Sequence, residues 1–262
     1  MEWEDALKAA EEASQMAGDM LRGNIDAARE IAYKGAVNLV TDFDRRSQDI
    51  IFSFLSSCFP EHDFLAEEDL ERQSGSDYRW IIDPIDGTTN YAHNFPIFCV
   101  SIALEWKGKV VCGVIYDPMR EEMFSAIVEK GAMMNGRKIR ISSTDDLDKS
   151  LLATGFPYDV RESEVNNLDH FANFATRVQA IRRCGSAALD LCYVACGRFD
   201  GFWELKLSPW DVAAGVLIIK EAGGRVSDFQ GKTVTIYGND VLASNGLIHA
   251  QMIRVLKSGK QP

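Results

Sequence analysis

Apolar residues recur at helical spacing from the start of the chain. Trp3, Leu7, Ala10, Ala17 and Leu21 share one face, which predicts an amphipathic helix over about the first 25 residues. Phe43, Ile50, Ile51, Phe54, Leu55 and Cys58 repeat the period and predict a second helix opening near Thr41. The period then changes. WIID, FCVSIALEW, KVVCGVIY and EEMFSAIV are β-rich runs parted by turn signals, and they predict a mostly antiparallel sheet. Beyond MMNGRKIRIS the pattern alternates: strands LLATGF, QAIRR, GFWEL and VLASN, with helices near 165–178 and in AALDLCYVACG, WDVAAGVLIIKEAGG and LIHAQMIRVL. That alternation predicts a second α/β sheet. The fold class is α/β (α+β), a layered sandwich of helices and sheets. The acidic stretch 145–149 is the best boundary between lobes of about 1–145 and 146–262, though it is too short for a flexible linker. There is no internal repeat and no low-complexity segment.

Composition narrows the function. With 262 residues and 46% hydrophobic content the chain can bury a substantial core in one large domain or two closely packed lobes. Its formal charge of -11 argues against a nucleic-acid partner, which would need clustered Lys and Arg. An acidic surface also repels a phosphorylated substrate, so a phosphate site here needs positive charge of its own, which bound divalent cations would supply. No run approaches the ~20 apolar residues of a membrane span, and the first residues have no basic segment followed by an apolar core. The expected location is the cytoplasm. Six cysteines inside hydrophobic runs, without a Cys-x-x-Cys pair, predict buried free thiols in a reducing compartment. The four histidines are too scattered for a His-based metal site.

The chemistry gathers around IIDPIDGTTN, residues 81–90. Asp-Pro alone can be a turn, because proline presets φ and aspartate caps the bend. The chain contains its own control in YDPMRE, where Asp117-Pro118 needs only to turn a hairpin between two strand-like runs. That copy lacks the second aspartate and the Gly-Thr-Thr. Glu67-Glu68 in FLAEED, Asp83 and Asp86 in DPIDGTT, and Asp211 in PWDVAAG all sit at element ends beside hydrophobic strands or a Trp. Each alone has a plainer reading: Glu67-Glu68-Asp69 as a surface charge run, Asp211 as a helix N-cap. Two carboxylates about 4 Å apart repel by roughly 4 kcal/mol at an effective dielectric of about 20, so convergence requires a counter-ion. Carboxylates with carbonyls and water, without His or Cys, suit Mg²⁺ or Mn²⁺. Gly87 lets backbone approach a ligand, and the helix start at Thr88 presents NH groups to an anion.

WIIDPIDGTTNYAH and WDVAAGVLIIKEAGG resemble the two signature motifs of the inositol monophosphatase family, Mg²⁺-dependent and lithium-inhibited phosphomonoesterases. NLVTDFD, AEED and RRCGSAALDLCYVACGRFDGFWE match in order, so the resemblance covers roughly residues 5–250. It implies a single domain folded as a five-layered α/β/α/β/α sandwich of the sugar-phosphatase type, working as a homodimer. It implies one metal on Glu67, Asp83 and the Ile85 carbonyl, a second on Asp83, Asp86 and Asp211, and a weaker third reached from Glu67 through water. It further implies a water activated by the metal and oriented by Thr88 and Glu67, attacking in line without a phosphoenzyme. Asp44 matches the aspartate that positions Thr88, while Thr41-x-x-Asp44 also reads as a helix capping box. Gly87 and Thr88 match phosphate contacts, Asp86 also faces substrate, and Ala187 and Glu204 match positions contacting sugar hydroxyls. Lys34 matches a loop lysine near the metal side. Ala66 stands where many relatives have glycine, and Glu68 reads as support for Glu67. Tyr91, His93, Phe202 and Trp203 read as structural.

The expected reaction is hydrolysis of inositol monophosphate to inositol and phosphate. The metal motifs see only phosphate, so fructose 1,6-bisphosphate, 3'-phosphoadenosine 5'-phosphate, histidinol phosphate and NADP stay open as substrates. Glu204 favours a polyol, and Arg182 and Arg183 leave room for a second phosphate pocket. A regulatory interaction protein using this fold is the alternative from a different class.

Overall fold

The computed structural model describes residues 2–27, 31–33, 39–68 and 70–258; Lys34 and Asp69 lie outside them. Helix α1 (Glu2–Gly23) is followed by the short antiparallel pair β1 (Ile31–Tyr33) and β2 (Leu39–Thr41) and by α2 (Asp42–Cys58). Then come β3 (Asp63–Ala66), β4 (Glu71–Arg72), β5 (Tyr78–Asp86) and α3 (Thr88–Ala92). A run of strands follows: β6 (Cys99–Trp106), β7 (Lys109–Asp117), β8 (Glu122–Ile127), β9 (Gly131–Met134) and β10 (Arg137–Lys138). A 3₁₀ turn at Leu147–Lys149 leads to β11 (Leu151–Thr154), α4 (Leu168–Ala175), β12 (Ala180–Arg182) and α5 (Ala187–Ala195). The chain closes with β13 (Gly201–Leu205), α6 (Pro209–Glu221), β14 (Arg225–Ser227), β15 (Asp240–Ser244) and α7 (His249–Leu256).

Among the described residues the first large sheet is eight-stranded, in the order β10-β9-β8-β7-β6-β5-β3-β4. It is antiparallel except where β3 runs parallel to β5. The second is five-stranded, β12-β11-β13-β15-β14, with β11 parallel to both neighbours and β15 antiparallel to β13 and β14. Strand alternation splits the buried side chains into three cores. On β5, Trp80 and Ile82 face α1 and α2, whereas Ile81 faces α5 and α6. On β13, Phe202 faces α5 and α6, whereas Trp203 faces α4 and α7. The layers are therefore α1/α2, first sheet, α5/α6, second sheet, α4/α7, the expected five. Helices α5 and α6 are apolar nearly all round because they lie between two sheets.

Several expectations shift. The β1–β2 pair, β3 and β14 are strands that the hydrophobic pattern did not announce. The predicted helix near 165–178 shortens to α4, because Asn167 at its start holds φ 73°. Asn167 donates to the Gly155 carbonyl (2.6 Å) and accepts from Trp203 Nε1 (2.8 Å), fixing the turn. All six cysteines are free, yet Cys58 is exposed and Cys184 and Cys196 are half-buried. Cys58 is the last residue of α2, past the point where its buried stripe ends at Leu55.

His249 is fully buried at the start of α7, with Nε2 2.9 Å from Ser227 Oγ and Nδ1 2.8 Å from Ser244 Oγ. Burial lowers its pKa to about 4, aided by the Arg225 charge. The folded ring stays neutral while the unfolded one takes up a proton below about pH 6.5, so stability is lost as pH falls from 6.5 towards 4. In urea denaturation, the stability advantage of wild type over His249→Gln should narrow across that window. A constant advantage would show that His249 does not titrate in this way.

Candidate active site

On a regular strand, residues three apart point to opposite faces. Asp83 pairs with Ser101 on β6 but Asp86 pairs with Cys99, three steps against two, so β5 carries one extra residue here. This bulge contains Pro84, a residue that cannot donate to a ladder and is tolerated at such irregularities. Its effect is to turn Ile85 into the α1/α2 core and to place Asp83 and Asp86 together in the cavity of the middle layer. The proline-centred bulge thus brings the two carboxylates of DPID to one face.

Glu67 enters the same cavity from the bend after β3, its NH bonded to the Ile82 carbonyl at 3.3 Å. Asp211 enters from the first turn of α6, its Oδ2 accepting from Ser208 N at 2.7 Å. Ser208, not Asp211, is the N-cap of α6. Glu68 does not line the cavity; its NH and carbonyl bind the Gln48 amide at 3.1 and 3.0 Å. Gly87 holds φ 102°, and a Cβ there would stand 3.0 Å from the Ile97 carbonyl, so only glycine fits. Thr88 follows at the start of α3, its hydroxyl 2.9 Å from both Asp44 Oδ1 and the Ile85 carbonyl. Asp44 Oδ2 meanwhile accepts from Thr41 N (2.7 Å) and Thr41 Oγ1 (2.6 Å). Both readings of Asp44 hold at once: one oxygen caps α2 and the other holds Thr88. Burial raises Asp44 to about 6 against those hydrogen bonds.

Asp83 is 1% exposed, and burial raises its pKa well above the carboxylate range, with Glu67, Asp86, Asp211 and Asp44 adding to the effect. Asp211 is raised by burial and then by Asp86. Asp117 makes the contrast. It is equally buried, and beyond turning the β7–β8 hairpin it binds Met119 N and Arg120 N at 3.0 Å and the Arg120 guanidinium at 2.9 Å. Burial matches; the partners differ in sign. Among the described residues no three acidic, His or Cys side chains close into a ready cage.

The cavity, about 420 Å³, continues from the carboxylates to Ala187 at the start of α5 and Glu204 on β13. Burial raises Glu204 to about 8, opposed by the Arg183 charge. A Cβ on Gly155 would lie 2.0 Å from Glu204 Oε1, so this glycine makes room for the carboxyl. Arg183 lines the cavity and Arg182 does not. Tyr91 is buried, donating to the Leu21 carbonyl at 3.1 Å; Phe202 and Trp203 are core; His93 ends α3. Sequence reasoning missed Gly155, Tyr158, Ser186 and Asp190, which also line the site. From RRCGSAALD the sequence reading takes only Arg182, Arg183 and Ala187.

The family model of the inositol monophosphatase family matches residues 2–261, and the chain belongs to that family. It is 42% identical over 257 residues to an inositol-1-monophosphatase of Synechocystis, covering 97% of this chain and 90% of the relative. It is also 42% identical over 248 residues to the Nus factor SuhB of Pseudomonas aeruginosa, covering 91% of each. The solved structure of an inositol monophosphatase from Anabaena superposes with a TM-score of 0.90 at 43% identity, covering 98% of this chain and 96% of that one.

If the carboxylates repel as their surroundings dictate, Asp83→Asn should melt higher than wild type in EDTA, by about 2–4 °C per kcal/mol relieved. Asp117→Asn should melt lower, because it removes the charge of a buried carboxylate that accepts from Arg120 and from two backbone NH groups. Calorimetric scans of the chelated proteins test both; equal shifts would contradict the contrast.

Proposed function

We propose that the protein hydrolyses phosphate monoesters of small polyols, inositol monophosphate foremost, with Mg²⁺ as cofactor. The observation that carries this reading is that one cavity is lined both by the carboxylates and by Glu204 and Ala187, the positions matched to hydroxyl contacts. Glu67, Asp83, the Ile85 carbonyl, Asp86 and Asp211 would hold two to three ions, with Mn²⁺ able to substitute. Bound there, the cations supply Lewis acidity, lower the pKa of water and neutralise phosphate charge.

The chain's own groups do the rest. Asp44 fixes the rotamer of Thr88, and Thr88 with Glu67 orients the attacking water in line with the leaving oxygen. The Gly87 and Thr88 NH groups take phosphate oxygens, aided by the adjacent start of α3. Displacement is direct, with no phosphorylated side chain. At the far end Glu204 and the Ala187 backbone receive the polyol hydroxyls. On the same reading the protein is a cytoplasmic homodimer inhibited by lithium. No helix among the described residues is long and apolar enough to cross a membrane. The relative named as a Nus factor motivates a second reading, in which this fold also serves as an interaction protein; pull-down with and without Mg²⁺ tests it.

Phosphate release from inositol 1-phosphate should require added Mg²⁺ or Mn²⁺ and stop in EDTA; full activity after exhaustive chelation would remove the cofactor. Asp83→Asn and Asp86→Asn should lose turnover by orders of magnitude. With its carboxyl held largely neutral near pH 7 by burial, Glu204→Ala should lose about 0.5–1.5 kcal/mol of polyol binding, roughly two- to tenfold. The same variant should cleave p-nitrophenyl phosphate, which has no such hydroxyls, nearly as wild type does. Equal loss on both esters would make Glu204 structural, and no loss on either would remove the preference for a polyol.

A further inference from the structure

We infer that Ser186 is a positioning residue for the acidic cluster: it engages one oxygen of Asp86, so that this carboxylate offers a cation only its other oxygen. The inference rests on the divalent-cation reading above. Asp86 Oδ2 accepts from Ser186 Oγ at 2.7 Å and from Ala188 N at 2.6 Å, and the Cys99 thiol stands 3.9 Å away. Ser186 Oγ itself accepts from Leu189 N at 3.3 Å and lies 3.6 Å from Cys99 Sγ, so its single proton is committed to Asp86. Oδ2 is thereby saturated, and the Ala187 NH also stabilises the carboxylate, which lines the cavity with Oδ1 as its remaining oxygen.

The other two aspartates of the cluster show the same division. Asp83 Oδ1 accepts from Ile85 N at 3.0 Å, and Asp211 Oδ2 accepts from Ser208 N at 2.7 Å. Those ties are backbone groups two or three residues away. The tie on Asp86 differs, because it crosses 100 residues from the end of β5 to the start of α5 and uses a side chain. One-oxygen ligands fit a small octahedral ion with contacts of about 2.0–2.1 Å, whereas Ca²⁺ gathers about 6–8 oxygens at longer range and takes carboxylates bidentately. Ser186, together with the Ala188 NH, thus biases the site towards the smaller cation by engaging the second oxygen of Asp86.

The test uses the full chain, stripped of metal, as wild type and as Ser186→Ala, Ser186→Gly and Ser186→Thr. Glycine keeps an acceptable helix cap without the hydroxyl, and threonine keeps the hydroxyl. Mn²⁺ binding is followed by loss of the free-ion signal in electron paramagnetic resonance, with Mg²⁺ and Ca²⁺ as competitors. Loss of a group that orients a ligand typically weakens metal binding about tenfold or more, so Ala and Gly should bind Mn²⁺ and Mg²⁺ about tenfold more weakly. Ca²⁺ binding should fall less, shifting the preference towards Ca²⁺, and Thr should retain wild-type values for all three ions. Wild-type affinities in Ala and Gly, or equal loss for all ions, would overturn the inference while leaving the cation reading intact. A wild-type protein that binds no Mn²⁺ would overturn both.

Discussion

Everything in the site follows from one electrostatic constraint: four acidic side chains, Glu67, Asp83, Asp86 and Asp211, line one cavity that holds only two basic side chains, Arg183 and Lys206. Asp83 is almost fully withdrawn from water and is pushed further from ionisation by Glu67, Asp86, Asp211 and Asp44. A buried carboxylate ordinarily finds a cationic partner, as Asp117 finds Arg120 in this chain. The acidic cluster instead relies on backbone NH groups, on Ser186 and on the charge of Arg183, which lines the same cavity. Such an arrangement stores repulsion in the cation-free protein and gives a divalent ion a strong, localised reason to bind.

The five layers exist, from this viewpoint, to make that crowding rigid. The bulge at Pro84 sets the phase of β5, and the first turns of α5 and α6 deliver Ser186, Ala188 and Asp211 from the middle layer. Helix starts carry partial positive charge, which offsets some of the repulsion. The second sheet contributes the other end of the cavity through Glu204, seated against Gly155 and held near the turn fixed by Asn167. On the proposed function, phosphate chemistry and polyol recognition use different residues of one cavity, so substitutions in one set can be separated from effects of the other.

Much of this was legible in the sequence, and the reasons differ by residue. The long helices, the antiparallel sheet and the signature motifs are local patterns, so the layers and the acidic residues were readable. Asp44 offered two readings because one carboxylate has two oxygens, and the structure uses one for each. Asp117 was read too simply, since its burial and its bond to Arg120 come from packing that a turn motif does not encode. Ser186 and Gly155 were missed for a common reason: the Ser186 hydroxyl meets Asp86, 100 residues away in the chain, and Gly155 makes room for Glu204 on another strand. β3 and β14 are strands of four and three residues whose pairing, not their period, defines them.

The central claim is that the carboxylates converge in order to be bridged by divalent cations. Anomalous diffraction from crystals grown with Mn²⁺ tests it most directly, because the anomalous peaks locate the ions independently of activity. The account predicts peaks bounded by Asp83, Glu67, Asp86 and Asp211, with Asp86 contributing only Oδ1. Crystals that hold Mn²⁺ elsewhere, or that leave these carboxylates in contact with water alone at saturating Mn²⁺, would contradict it.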